Sequence, residues 1–203
     1  MAHRWLTGRP LAVAVALGSV VALGASGCVA AQPSQPSAPV PVPPALPALP
    51  ARPVNLPLTN VRPCELLSHG QTEELGTRFA TPGVSDVAKG SPECLWSNAL
   101  GPPDNQWMIR LVLNRGASTV LVSHDPLVKI VQVGGFPAVQ SHAGGADPST
   151  HCIEAIDVAP GQNMQVYYTN NRGDYPNISH ELACQLADRV ATMALANLRR
   201  LTG

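Results

Sequence analysis

Cys28, Cys64, Cys94, Cys152 and Cys184 are the side chains of this 203-residue chain whose types and spacing speak most directly of chemistry. Five is an awkward number for an oxidising compartment, where thiols are expected to pair. The oddity disappears when Cys28 is set apart. It follows Ala25-Ser26-Gly27, a small-residue triplet of the kind a lipoprotein signal peptidase cuts. The Cys28 thiol would then take a diacylglycerol by thioether, and its freed amine would become the mature N-terminus. Two or three acyl chains anchor stably where a single one is marginal. The departure is Ala25, where such motifs most often carry leucine. Ordinary cleavage among small residues, for example after Ala31, is the alternative and would give a secreted, non-lipidated protein.

The other four cysteines form an even set, and export implies disulfides. Three pairings are open. Cys64–Cys94 with Cys152–Cys184 is favoured, because shorter loops cost less entropy to close. Each bridge would close a loop of about 30 residues, worth roughly 3–4 kcal/mol in the chain-entropy model. A four-thiolate metal site would need a Cys-x-x-Cys spacing that is absent here, and no cofactor or metal is expected.

Other reactive side chains form no recognisable constellation. None of His3, His69, His124, His142, His151 and His180 makes the spacing that puts two ligands on one helix face. His142 and His151 flank a glycine-rich loop and can meet across it, though solvated loop histidines look the same. No Gly-x-Ser-x-Gly elbow occurs. Gly144-Gly145 opens no helix and brings no lysine, so it is no phosphate cradle. Glu73-Glu74 reads as a solvated helix face, Arg172-Gly173-Asp174 as a turn, and Asn177-Ile178-Ser179 as a glycosylation match of little weight in a bacterium. Trp96 and Trp107 read as core or cross-strand partners. No catalytic residue is assigned, and no ligand-binding residue is identified.

The elements that must position these residues begin with an export signal over residues 1–27. Arg4 and Arg9 precede an apolar run from Leu11 to Leu23, and small residues follow. Basic start, short apolar core and small exit are the parts of a secretory signal. The run of 13 residues is shorter than a membrane span of about 18. Removing both arginines leaves 11 basic against 13 acidic residues (13 − 2 = 11). A mature charge near −2 gives no electrostatic reason to expect a nucleic-acid partner.

Residues 28–60 read as the lipidated cysteine and a disordered tether. Ten prolines fall between Gln32 and Pro57, with Arg52 the single charge. Proline fixes φ and removes donors, so a polyproline-II spacer of about 3.1 Å per residue is expected.

Residues 61–203 remain for one domain. Pro63-Cys64-Glu65-Leu66-Leu67 opens a short helix expected to end at Gly76. Glu93–Ser97 and the alternating stretch from Trp107 to Asn114 make a hairpin. A helical or irregular segment around Ala117–Asp125 leads to Lys129–Val133, which returns through Gly134-Gly135 as Ala138–His142. Cys152–Val158 and Met164–Thr169 flank the Pro160-Gly161 turn. From Ile178 to Leu201, Leu182, Leu186, Val190 and Met193 mark the apolar stripe of a long amphipathic helix. An antiparallel sheet packed by a short N-terminal helix and a long C-terminal one is an α+β domain.

Read together, Pro63-Cys64-Glu65-Leu66-Leu67, Cys94-Leu95-Trp96, Gly134-Gly135-Phe136-Pro137-Ala138, Cys152 on a strand and Cys184-Gln-Leu-Ala187 in the last helix resemble the actinobacterial cell-envelope lipoproteins built on the domain of unknown function 3558. The resemblance covers roughly residues 61–200, with signal and tether in front. It implies a small α+β domain displayed outside the cytoplasmic membrane, and it implies no activity. The expectation is therefore an exported, noncatalytic domain held at the membrane by its lipid, binding a lipid, a glycan or another envelope protein. An envelope hydrolase or accessory enzyme with a site gathered from distant residues is the alternative, and a structural spacer the third reading. A cleft with a carboxylate or histidine of shifted pKa would point to chemistry; a continuous apolar cleft would point to lipid.

Overall fold

Period-two alternation dictates most of what is observed. The structure, a computed structural model, describes residues 48–97, 105–121, 125–142, 150–170 and 178–203. Cys28, the export signal, His3, His124, the loop glycines Gly144 and Gly145, Arg172–Asp174 and Asn177 lie outside them. Seven strands form one sheet: β1 (Phe79–Ser85), β2 (Ser91–Ser97), β3 (Asn105–Val112), β4 (Lys129–Val133), β5 (Phe136–Ser141), β6 (His151–Ala159) and β7 (Gln162–Asn170). Their order is β1-β2-β3-β7-β6-β5-β4, every neighbouring pair antiparallel. Two helices, α1 (His69–Glu74) and α2 (His180–Thr202), complete the α+β architecture expected from the sequence.

The strand register sorts residues into rows across the sheet. One row runs Trp96, Trp107, Tyr168, Cys152. All four are buried on the face that α2 covers, and the Trp107 and Tyr168 rings meet edge to face at 5.7 Å. Both tryptophans are thus core, as their alternation predicts. The opposite face carries a polar row: Arg110, mostly buried, is bonded to Glu93 at 2.8 Å and to the Tyr167 hydroxyl at 2.6 Å.

The four cysteines pair as Cys64–Cys94 and Cys152–Cys184. The first ties the turn Pro63–Glu65 to β2; the second ties α2 to β6.

Two expectations are adjusted and one strand is added. The helix opened by Pro63 is two pieces, a 3-10 turn over Pro63–Glu65 and then α1. Ser68 and Gln71 form a reciprocal capping box that fixes a fresh helix start, so no helix runs through it. β1 carries Pro82 and Gly83 and exposes nearly all its side chains, so no hydrophobic pattern announces it. It is an edge strand, where proline is tolerated. In α2, Leu182 is exposed, and Ala183, Ala187, Ala191 and Ala194 are buried beside Val190 and Leu198. Val190, with Leu186 and Met193 half-buried against the core, keeps its expected place, and the alanines widen the buried face with small side chains that let the helix sit close on β6 and β7.

The packed unit also begins before Val61. Leu56 and Leu58 are buried in the core, and Arg52 pairs with Asp157 at 2.7 Å. Leu56 N–H donates to the Val158 carbonyl at 2.8 Å, and Leu58 N–H to Gln162 Oε1 at 2.8 Å. Leucines set between the last prolines supply apolar anchors that proline count alone hides.

Candidate functional site

A second cross-strand row holds the candidate site. It runs Cys94, Ile109, Val166, Glu154, Gln140, Lys129 across six strands. The first three positions are apolar or half-cystine core, and the last three are polar. On β6, Cys152, Glu154, Ile156 and Val158 share the face turned to α2, so the pleat carries a carboxylate inward between a half-cystine and an isoleucine. Glu154 is 1% exposed.

The helix above it is positioned by the Cys152–Cys184 bridge, whose strand end lies two residues from Glu154. With Cys184 fixed, Glu181, Gln185 and Asp188 follow at helical spacing on the same side of α2. These residues, with Lys129, Val131, Gln132, Gln140 and Glu154, line a cleft of about 280 Å³ between α2 and the β4–β5–β6 edge.

Gln140 Nε2 donates to Glu154 Oε1 at 3.0 Å. Glu154 Oε2 is buried and has no hydrogen-bond partner among the described residues. Burial, partly offset by the Gln140 bond and aided by the Asp188 carboxylate, pushes the Glu154 pKa up to about 7. Asp188 is itself raised by burial. A buried, half-satisfied carboxylate is costly, about 1–3 kcal/mol for an unpaired polar group. Such groups in a cleft are where ligand contacts and proton transfer concentrate.

The histidines gather elsewhere. His142 Nε2 lies 2.8 Å from Asp125 Oδ2, and its ring is 6.1 Å from that of His180. The Leu127 N–H and then His142 hold the Asp125 carboxyl below its usual range. His180 Nδ1 is 3.1 Å from the His151 carbonyl, and its Nε2 is 3.5 Å from Cys184 Sγ. Thus His142 meets Asp125 and His180, while His151 bonds Thr150. Cys152, His180 and Cys184 stand close enough to hold a metal, but the two sulfurs are joined to each other and offer no thiolate. His69 is exposed beside Glu73, and Glu74 pairs with Arg189, so the Glu73-Glu74 pair is a solvated helix face.

Glu154 was not singled out by sequence reasoning. The available signal is a charge at an inward position of a strand otherwise filled by Cys, Ile and Val on that face. The cleft itself depends on where α2 lands, which no local pattern states.

No helix among the described residues is long and apolar enough to cross a membrane. None of the curated proteins and none of the solved structures matches this chain. Residues 23–197 match the family model described as "Protein of unknown function (DUF3558)", and the chain belongs to that family.

Proposed function

We propose that this protein is an exported ligand-binding domain, lipid-anchored through Cys28 at the outer face of the cell membrane, whose ligand seat is the cleft floored by Glu154. The signal-like segment, the small-residue triplet before Cys28 and the two disulfides support export. Of these supports, the one that carries the binding reading is Glu154, which lines a cleft of about 280 Å³ and whose Oε2 is buried without a hydrogen-bond partner among the described residues. The cleft is small for a ligand site, which typically measures about 300–1,000 Å³. Its carboxylates and amides argue against a lipid tail and for a small polar ligand.

The experiment compares compounds released on denaturing the membrane-extracted wild type and a Gln185→Trp variant. Gln185 is exposed on α2 and lines the cleft, so the indole fills the cleft without entering the core. A compound bound to the wild type and missing from the variant supports the reading. Identical content in both contradicts it.

A second reading is an envelope hydrolase. The observation favouring it is the pair Glu154, raised to about 7, and Asp188, also raised. Two carboxyls with displaced pKa values can divide acid and base roles. Product found with the wild type and intact substrate with Glu154→Gln would favour hydrolysis; the same unaltered compound in both favours binding.

A further inference from the structure

We infer that the cleft takes a small organic cation through a primary ammonium group, seated on Glu154 Oε2. The inference rests on the binding reading above and adds the chemical class of the ligand.

The charges facing the cleft decide the sign. Glu181 and Asp188 come from α2, Glu154 from β6 and Lys129 from β4, while Gln140, Gln132 and Gln185 are neutral. Among the described residues three carboxylates oppose one ammonium, a balance of −2 when Glu154 is ionised (1 − 3 = −2). An anionic ligand is repelled. A neutral hydroxyl can donate only one hydrogen, whereas an ammonium has three donors and supplies charge. Glu154 Oε2 takes one of them and forms a charge-assisted bond. Asp188, Glu181 and the glutamine carbonyl groups are further acceptors lining the cleft.

Size argues against a bare metal ion. The cleft holds about 280 Å³, roughly nine times the 30 Å³ share of one water. Calcium asks for six to eight oxygen ligands gathered at about 2.3–2.6 Å. Here Glu154 is already engaged with Gln140 on one oxygen, and Lys129 stands on the rim. A compact amine fits both the volume and the one Glu154 oxygen that is buried without a partner among the described residues.

Binding is then coupled to a proton. A cation seats on ionised Glu154, and Glu154 titrates at about 7. The competent fraction is therefore about one tenth at pH 6 and nine tenths at pH 8, which makes the apparent affinity about tenfold tighter at the higher pH.

The test is amide-resolved NMR of the full chain titrated with propylammonium, 1-propanol, propionate and calcium chloride. The expected result is saturable shifts at Gln140, Glu154 and Asp188 with propylammonium, about tenfold tighter at pH 8 than at pH 6. Glu154→Gln keeps the shape and should weaken binding at least tenfold while removing the pH dependence. Asp188→Asn, on a half-buried helix position, should weaken it severalfold and is the second check if the first variant folds poorly. Propanol or propionate binding as tightly, or calcium alone producing the shifts, overturns the ammonium assignment. Absence of any shift with propylammonium overturns it as well. In each of these cases the Gln185→Trp comparison still decides whether the cleft binds anything.

Discussion

Gln140 and Glu154 face one another across β5 and β6, and the single bond between them, Nε2 to Oε1 at 3.0 Å, leaves the other carboxylate oxygen buried without a partner among the described residues, beside a cleft. The bond favours the ionised form, against burial and Asp188. Replacing Gln140 by leucine removes it. The Glu154 pKa should then rise further above 7, and the chain should lose about 1–2 kcal/mol at pH 8. Urea unfolding at pH 8 and at pH 5 reads this, with the smaller loss expected at pH 5, where the carboxyl is neutral.

Stability should fall as pH rises through the neutral range. Glu154 is raised from an ordinary 4.5 to about 7, so the folded chain holds a proton that the unfolded chain has released. The penalty starts above 4.5 and is complete above 7, and the shift corresponds to roughly 3 kcal/mol at full ionisation. Asp157 and Asp188, both raised by burial, act in the same direction. Glu154→Gln should match the wild type near pH 4.5 and be the more stable of the two at pH 8. Equal pH slopes in the two proteins would refute this.

The two bridges should differ in consequence though not in size. Each spans a similar loop, 30 or 32 residues, and removing either should cost about 3–4 kcal/mol in the chain-entropy account. Only the double replacement Cys152→Ala, Cys184→Ala should disturb the cleft, because it frees α2 beside Glu154. Amide shifts of Gln140 and Asp188 would report that, and Cys64→Ala, Cys94→Ala should leave them in place.

The face of α2 can be read by substitution. Ala187 is fully buried, so Ala187→Leu should cost about 1–3 kcal/mol by overpacking. Leu182 is 39% exposed, and Leu182→Ala should cost under about 0.5 kcal/mol. The reverse ranking in thermal or urea unfolding would place Leu182 rather than Ala187 against the sheet.

Much of the fold is legible in the sequence, for physical reasons that also explain the omissions. Trp107, Ile109 and Leu111 alternate cleanly because one face of β3 is core, and Pro160-Gly161 marks the β6–β7 hairpin because Gly161 sits at φ +68°. β1 escapes notice because an exposed edge strand needs no apolar face. On α2 only Leu182 leaves the expected stripe, since Val190 is buried and Leu186 and Met193 pack against the core; the buried alanines beside them go unannounced because leucine advertises burial more loudly than alanine. The candidate site is the least legible part. Its floor is one charge in an apolar strand, its roof is a helix located by a disulfide, and the row Lys129–Gln140–Glu154 exists only once the register of three strands is known.

The most direct measurement is the titration of the Glu154 side-chain carboxyl by carbon-13 NMR, in the free chain and saturated with propylammonium. A midpoint near 7 that drops when the amine binds is the expected outcome. A midpoint in the usual range of glutamate near 4.5, unmoved by the amine, would show a solvated carboxylate and remove the basis for a ligand seat at this position.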